Sequence, residues 1–571
     1  MKSKKTQDIL RYTLFVAILI ALNMIGSLKF IRLDLTSDQR YSLSEATVEL
    51  VEKVQDPLLF KVYLKGDFPA GFQRLQNETR LMLEEFRAYN PNIQYQFVNP
   101  NEAETEKQAE KIKKQLQSRG IRPYQLSVRK KDGSATQTIF PGALVSYGNE
   151  ETSLALLESK LGAPPEQQIN ASIQNLEFAL ANTVRALVVK DKPLIGFIQG
   201  HGELDPREMA SFARALSKNY NVSLFNLRKF SSDTSNQSWS IAQQQQRLNR
   251  FDGIVVAKPR QAFNKLDKFL LDQYVMNGGR SLWLLDAVTA SMDSLSVQSQ
   301  FISLPLLPKL NLNDLLFKYG FRLNTDLVAD QTAAAINDQR QILPWIYFPM
   351  VMPRVKHPIT QNLNAIKLQF ASSLDTVQSP QARSRILLRS SAQSKLFPTP
   401  HMVSLRDLYE RPPRERFRAN GIPLAVMNEG RFTSLFKNRI APRDEGSPLQ
   451  VKGESDSTQI LVVGDGDIVR NQFNVLNPNI PKGAPLPLGY DQYTGKQFGN
   501  SDFLINALDY MLDDSGLISI RSRELKIRLL DGNQIAEQRL LWQILNTALP
   551  VFLVVCFGLG YRYYRKIKYA S

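Results

Sequence analysis

Residues Leu194–Pro206 read LIGFIQGHGELDP. The run LIGFIQG (Leu194–Gly200) has the composition of a strand buried on both faces. Its last residue opens Gly-His-Gly, whose two glycines suit a tight turn. Asp205 then offers a helix N-cap, Pro206 suits the first helical position, and Glu208 completes capping-box spacing. In a doubly wound sheet, ligands sit outside the carboxyl ends of the strands, beside helix N-termini. Of the loop residues, only His201 and Glu203 lack an obvious structural duty, which makes them candidate site residues.

The alternation continues on the C-terminal side. Pro206–Lys218 reads as a helix, NVSLFNL and DGIVVAKP as strands, Phe263–Met276 as a helix and SLWLLDAV as a strand. STQILVVGDGDIV (Ser457–Val469) reads as a further strand, and DFLINALDYMLDD as a later helix. The pattern predicts a doubly wound α/β domain over residues 191–530, with long insertions between 290 and 455. The polar segments Ser231–Gln246 and Pro442–Ser457 read as mobile loops. Asp286, Asp465 and Asp467 fall just after predicted strands. With His201 and Glu203 they could line one ligand crevice and hold a cation. The alternative is that GDGD is a turn held by local hydrogen bonds.

Residues 34–155 form a smaller predicted α/β unit. Ser42-Leu-Ser-Glu45 has capping-box spacing and opens a helix bearing Ala46, Leu50, Val51 and Val54 on one face. PLLFKVYL and IQYQFVNP are strands around the amphipathic helix FQRLQNETRLMLEEFRAY. A charged helix near Glu102–Arg119 and the hairpin YQLSVRKKDGSATQTIF, with Asp132-Gly133 at its turn, complete a thioredoxin-like order. No Cys-x-x-Cys is present, which excludes thioredoxin chemistry. One connecting helix is expected over 165–190, with apolar residues at helical spacing from Gln168 to Val189.

Both ends of the chain are apolar. Tyr12–Leu28 is free of charge, and Lys29 can snorkel, so the span extends over 12–31. A cleaved signal peptide would have a shorter apolar core and a small-x-small site, which NMIGSLKF does not offer. Leu540–Tyr561 is a second uncharged stretch, flanked by Trp542 and Tyr561 and interrupted by Pro550. The chain of 571 residues carries +17, of which +3 lies before residue 12 and +4 after residue 561. These basic tails, 1–11 and 562–571, predict two cytoplasmic termini and a large periplasmic body. The one cysteine, Cys556, lies in the second span, so the body can form no disulfide or Cys-rich zinc site.

The remaining chemistry is thin. The body has no dense basic stripe interleaved with aromatics, so no nucleic acid is expected as a partner. No dinucleotide fingerprint, Walker A sequence or Gly-x-Ser-x-Gly elbow occurs. His357 and His401 lack metal-ligand spacing to each other or to His201. The basic stretch Arg406–Asn420 reads as a solvated loop that could also touch anionic headgroups or a partner. No cofactor and no catalytic residue is expected. The competing reading is an anchored hydrolase using His201, Glu203 and the three aspartates; another is an envelope scaffold.

Several segments, in this order, resemble one family. They are LDLTSDQRYSLSEAT, NASIQNLEFALANTVRAL, IGFIQGHGELD, GGRSLWLLDAV, HPITQNL, ILVVGDGDIVRNQF and FLINALDYMLDDSGLISIRSRELKIRLLD. The set resembles the gliding-motility-associated ABC transporter substrate-binding subunit family, GldG, over nearly the whole chain. The resemblance implies an inner-membrane accessory subunit that partners a multi-span permease and, through it, a cytoplasmic ATPase. It also implies a central domain like one shared with intraflagellar-transport proteins and related to class I amidotransferases, without their Cys nucleophile.

Overall fold

A computed structural model describes residues 10–21, 42–102, 105–130, 133–158, 160–230, 239–297, 299–338, 341–378, 381–410, 412–444, 447–522 and 532–569. They fall in two compact units, Met1–Glu524 and Leu525–Ser571. The first described element is an exposed apolar helix, Leu10–Ala21 (α1). Residues 22–31 of the expected first span lie outside the described residues.

The smaller sheet contains β1 (Leu58–Val62), β2 (Ile93–Phe97), β3 (Gly142–Tyr147) and β4 (Glu150–Ala155) in the order β2-β1-β3-β4. β1 and β2 are parallel; β1–β3 and β3–β4 are antiparallel. Helix α2 (Glu45–Glu52) precedes β1, α3 (Ala70–Tyr89) joins β1 to β2, and α4 (Glu106–Ser118) follows β2. The cap of α2 is Ser44 rather than Ser42: its hydroxyl accepts the Thr47 amide at 3.2 Å. A distant carboxylate takes the place of the expected local glutamate, since Glu177 accepts the Ser44 amide at 2.7 Å. The hairpin Tyr124–Lys130/Gly133–Ile139 pairs Lys130 with Gly133; Asp132 of the expected turn lies outside the described residues.

The expected single connecting helix is two, α5 (Pro165–Gln174) and α6 (Leu176–Val188). The break falls at Asn175, at φ −95° and ψ 2°, whose side-chain amide donates to Glu158.

The larger sheet contains β5 (Leu194–Gln199), β6 (Asn221–Asn226), β7 (Gly253–Ala257), β8 (Arg280–Leu284), β9 (Ala382–Arg389), β10 (Pro423–Gly430) and β11 (Thr458–Val463). Their order is β9-β10-β11-β8-β7-β5-β6. The run β11-β8-β7-β5-β6 is parallel, and β10 is antiparallel to both neighbours. The chain first adds β6 on one side of β5 and then β7 on the other, so its direction reverses between β5 and β7. Both faces are covered, because alternate strand residues enter two separate cores. Val256, Trp283 and Val462 meet α9 (Lys265–Met276) on one face. Val255, Leu284 and Val463 meet α7 (Ala210–Leu216) and α10 (Asn500–Leu512) on the other.

Three loop expectations are corrected. The 290–455 region is no mere insertion, since it supplies β9 and β10 to the main sheet. Residues 241–248 form helix α8 (Ile241–Leu248), because Ser240 and Gln243 close a capping box; residues 231–238 lie outside the described residues. The 442–457 segment is tethered, because Lys452 donates its amide to Gln273 and buried Ser455 accepts the Phe432 amide.

Before the first unit ends, a strap at Leu517–Ser522 enters the smaller core. Leu517, Ile518 and Ile520 are buried in one cluster with Leu58, Leu176, Leu180 and Val184. The second unit is helix α11 (Gly532–Tyr569), which kinks at Gln538 (φ −110°, ψ 17°) and carries Pro550 inside it. Its segment Glu537–Lys568 is 32 residues long, fully exposed, and long and apolar enough to cross a membrane. Leu517→Ala should cost about 2–5 kcal/mol by leaving a cavity in the smaller core. Hydrogen exchange of β1 amides should quicken in that variant, although β1 is far from Leu517 in sequence.

Candidate functional site

The loop after β5 is built as its sequence demands. Gly200 and Gly202 have φ of +118° and +69°, values that favour glycine. Asp205 caps the next turn and forms the expected box with Glu208. That turn is 3-10 over Pro206–Met209, with α7 beginning at Ala210.

His201 is wholly buried. Its Nδ1 lies 3.2 Å from Glu203 Oε1, and its Nε2 lies 3.0 Å from Asp267 Oδ2. Its ring stacks on Phe263 at 3.7 Å. Its amide donates to Glu203 Oε2 at 2.7 Å, and its carbonyl accepts the amides of Arg260 and Gln261 at 2.8 Å each. Asp267 also belongs to the capping box of α9 and receives Arg228 Nη2 at 2.8 Å. Burial pushes the imidazole pKa down, but Asp267 and Glu203 outweigh it and hold the value above 6.5. Burial likewise pushes the Asp267 carboxyl up, and His201 and Arg228 overcome that and hold it low. His201 and Glu203 therefore do have structural work. They fasten the β5 loop to the β7 loop and to the start of α9.

A second cluster lies at the ends of β7, β8 and β11. Asp286, Asp465 and Asp467 are buried, and ligand-type oxygens of the three lie within 4.8 Å of one another. Lys258 enters this cluster. Its ammonium is 3.0 Å from Asp286 Oδ2 and also contacts Asp467 Oδ2. Its backbone sits at φ +52°, an uncommon value for a side-chain-bearing residue. Gly466 donates its amide to Asp286 at 2.6 Å, and Asp467 donates its own to Asp465 at 2.7 Å. Gln369 donates to the other Asp465 oxygen at 2.8 Å.

Electrostatics divide the three acids. Burial pushes the Lys258 pKa down, but Asp286 and Asp467 outweigh it and hold it raised. Burial raises the Asp286 carboxyl against the pull of Lys258. Asp465 is raised well above the ordinary value by burial, then by Asp467 and Asp286. Burial and the two neighbouring carboxylates thus favour the protonated form of Asp465. The positive charge expected of a bound cation is supplied by the protein itself.

The expected residues form two buried clusters rather than one open crevice. Arg470 links the second cluster to the turn after β5, with Nη2 2.7 Å from Glu208 Oε1 and Nη1 3.8 Å from Asp467 Oδ1. Sequence reading missed Lys258, Asp267, Arg228 and Arg470. One signal for Lys258 was available: it ends an apolar strand immediately before a proline, where the parallel strand ends meet. His357 and His401 stand elsewhere. His357 is pushed down to about 4 by burial and by Arg385, and His401 pairs with the Tyr347 hydroxyl at 2.8 Å. In the basic stretch, Arg406 pairs with Glu410 at 2.9 Å, and Arg414, Arg416 and Arg418 are exposed.

Replacing Lys258 with Met should destabilise the fold by about 3–5 kcal/mol near neutral pH, because buried carboxylates lose their counter-charge. The raised carboxyls of Asp286 and Asp465 contribute stability at acid pH and lose it as pH rises through their folded values. The gap between wild type and variant should therefore narrow toward pH 4 in denaturant titrations. His201→Ala should lower stability most below pH 6.5, where the raised imidazole contributes fully, and less as pH climbs through its folded value. Melting curves over pH 5–8 would read this, and an unchanged melting point at every pH would contradict the locking role.

Comparison with known proteins adds the family. The model of a family described as "ABC-type uncharacterized transport system" matches residues 192–507, spanning the larger sheet and both clusters. A domain of unknown function (DUF7088) matches residues 37–146, over most of the smaller sheet but not its strand β4. No curated protein matches the chain. A solved structure named "mmIFT52 N-terminal domain" is similar over 56% of this chain and 97% of its own, at 14% identity and a TM-score of 0.32. That likeness is too loose to bear on fold or activity. The first match covers more than half of the sequence, and the chain belongs to this ABC-type transport family.

Proposed function

We propose that the chain is a membrane-anchored accessory subunit of an ABC transporter, of the gliding-motility-associated GldG kind, serving gliding motility or cell-envelope export. Both termini are cytoplasmic, and the body between the spans is periplasmic. The observation that carries this reading is the apolar, fully exposed helix Glu537–Lys568, on a chain whose body matches an ABC transport family. So long an exposed apolar surface is costly in water and favourable in a bilayer. The basic residues Arg562, Arg565, Lys566 and Lys568 beyond the span support a cytoplasmic C-terminus.

The strand order of the smaller sheet supports a thioredoxin-like domain, and that of the larger sheet supports a doubly wound, amidotransferase-like one. Neither is assigned chemistry in this reading. A hydrolase would need His201 to reach a substrate, yet the imidazole is enclosed by Glu203, Asp267 and Phe263. The permease and the ATPase do the transport work. The body docks on the permease or receives an envelope substrate, with the two clusters as rigid supports of that surface.

Affinity capture of the full chain from native membranes, read by mass spectrometry, tests this. A multi-span permease and an ATPase should co-purify. Recovery of the chain alone would overturn the accessory reading, and protease that spares the body in intact spheroplasts would overturn the topology.

A further inference from the structure

Helix α4 has one face bound to the protein and one face that, among the described residues, makes no ion pair. Ile112 and Leu116 sit against a satellite core of Tyr63, Ile121, Phe140 and Leu144. Thr105 caps the helix by accepting the Gln108 amide at 3.4 Å. At 100° per residue, Lys107, Lys111 and Lys114 lie within about 60° of one another, on the side opposite Ile112 and Leu116. All three are exposed. Among the described residues none of the three forms an ion pair, whereas nearby Arg119 pairs with Glu151 at 3.4 Å. From Lys107 to Arg122 the chain holds six basic residues and one acid, Glu110.

We propose that this lysine face docks on the anionic phospholipid headgroups of the bilayer that anchors the chain. The inference rests on the anchored reading above. Two observations select this occupant. The first is reach. Ile31, the end of the expected first span, is 11 residues before Ser42, so the linking chain extends at most about 40 Å. The smaller sheet is thereby held close to the membrane surface. The second is chemistry. Lysine ammonium groups are flexible point charges suited to a diffuse phosphate layer, without the planar fork of an arginine site. No exposed large apolar side chain occurs from Thr105 to Arg122. A protein partner would ordinarily find an apolar or aromatic anchor at the centre of such a face. A nucleic acid would find stacking aromatics.

The test uses the full chain in lipid nanodiscs, made either of phosphatidylcholine alone or with added phosphatidylglycerol. Amine acetylation is followed by mass spectrometry, with exposed Lys309 and Lys482 as references. Lys107, Lys111 and Lys114 should react about threefold more slowly in the anionic discs. The protection should vanish at about 0.5 M salt, where screening is short-ranged. In the K111E/K114E variant, Lys107 should lose its protection. Equal rates in the two discs would overturn the proposal while leaving the anchored reading intact. Protection in native membranes that ignores lipid charge in discs would mean an acidic protein covers the face, and would overturn it too. Failure of the chain to enter discs would overturn the anchoring, and this face with it.

Discussion

The ammonium of Lys258 stands where the carboxyl ends of three parallel strands converge, between the carboxylates of Asp286 and Asp467 and close to Asp465. A buried lysine without a partner, or buried carboxylates without a cation, would each be costly. Together they set the geometry of the β7, β8 and β11 loops. Gly466 shows how closely those loops approach: a Cβ there would lie 2.7 Å from Lys258 Cβ and 2.9 Å from Asp286 Oδ1. From this point Arg470 carries the network to Glu208 and the start of the helix after β5. The His201 cluster ties the other flank of the same reversal in strand order.

In many doubly wound domains that place is open and binds a ligand. Here its polar groups face one another, and the charges that could act on a substrate are largely used internally. An accessory protein in a transport family has use for such stiffness. Ion pairs joining three loops resist shear between them better than apolar contacts, which are non-directional.

Much of the fold was legible because strands buried on both faces leave unbroken apolar runs. The β5 loop was legible to the residue, since Gly200, Gly202, Asp205, Pro206 and Glu208 each carry local information. What escaped was non-local. Lys258 is 209 residues from Asp467, and its place at the end of an apolar strand before a proline does not say which carboxylates it meets. Asp267 could be read as a cap, but not as the partner of His201. The joining of β9 and β10 to the main sheet was hidden inside a long stretch with poor periodicity. Ser44 was misjudged because its helper, Glu177, lies 133 residues away.

The strap at Leu517–Ser522 bears on how the molecule is made. Its side chains complete a core that otherwise comes from residues 43–187. A nascent chain emerges from its N-terminus, so the first sheet is synthesised long before the piece that seals it. Until residues 517–522 have been made, that early sheet keeps an apolar gap exposed to whatever surrounds it. Such late closure disfavours autonomous maturation of the N-terminal portion and makes its assembly contingent on a segment about 330 residues further along.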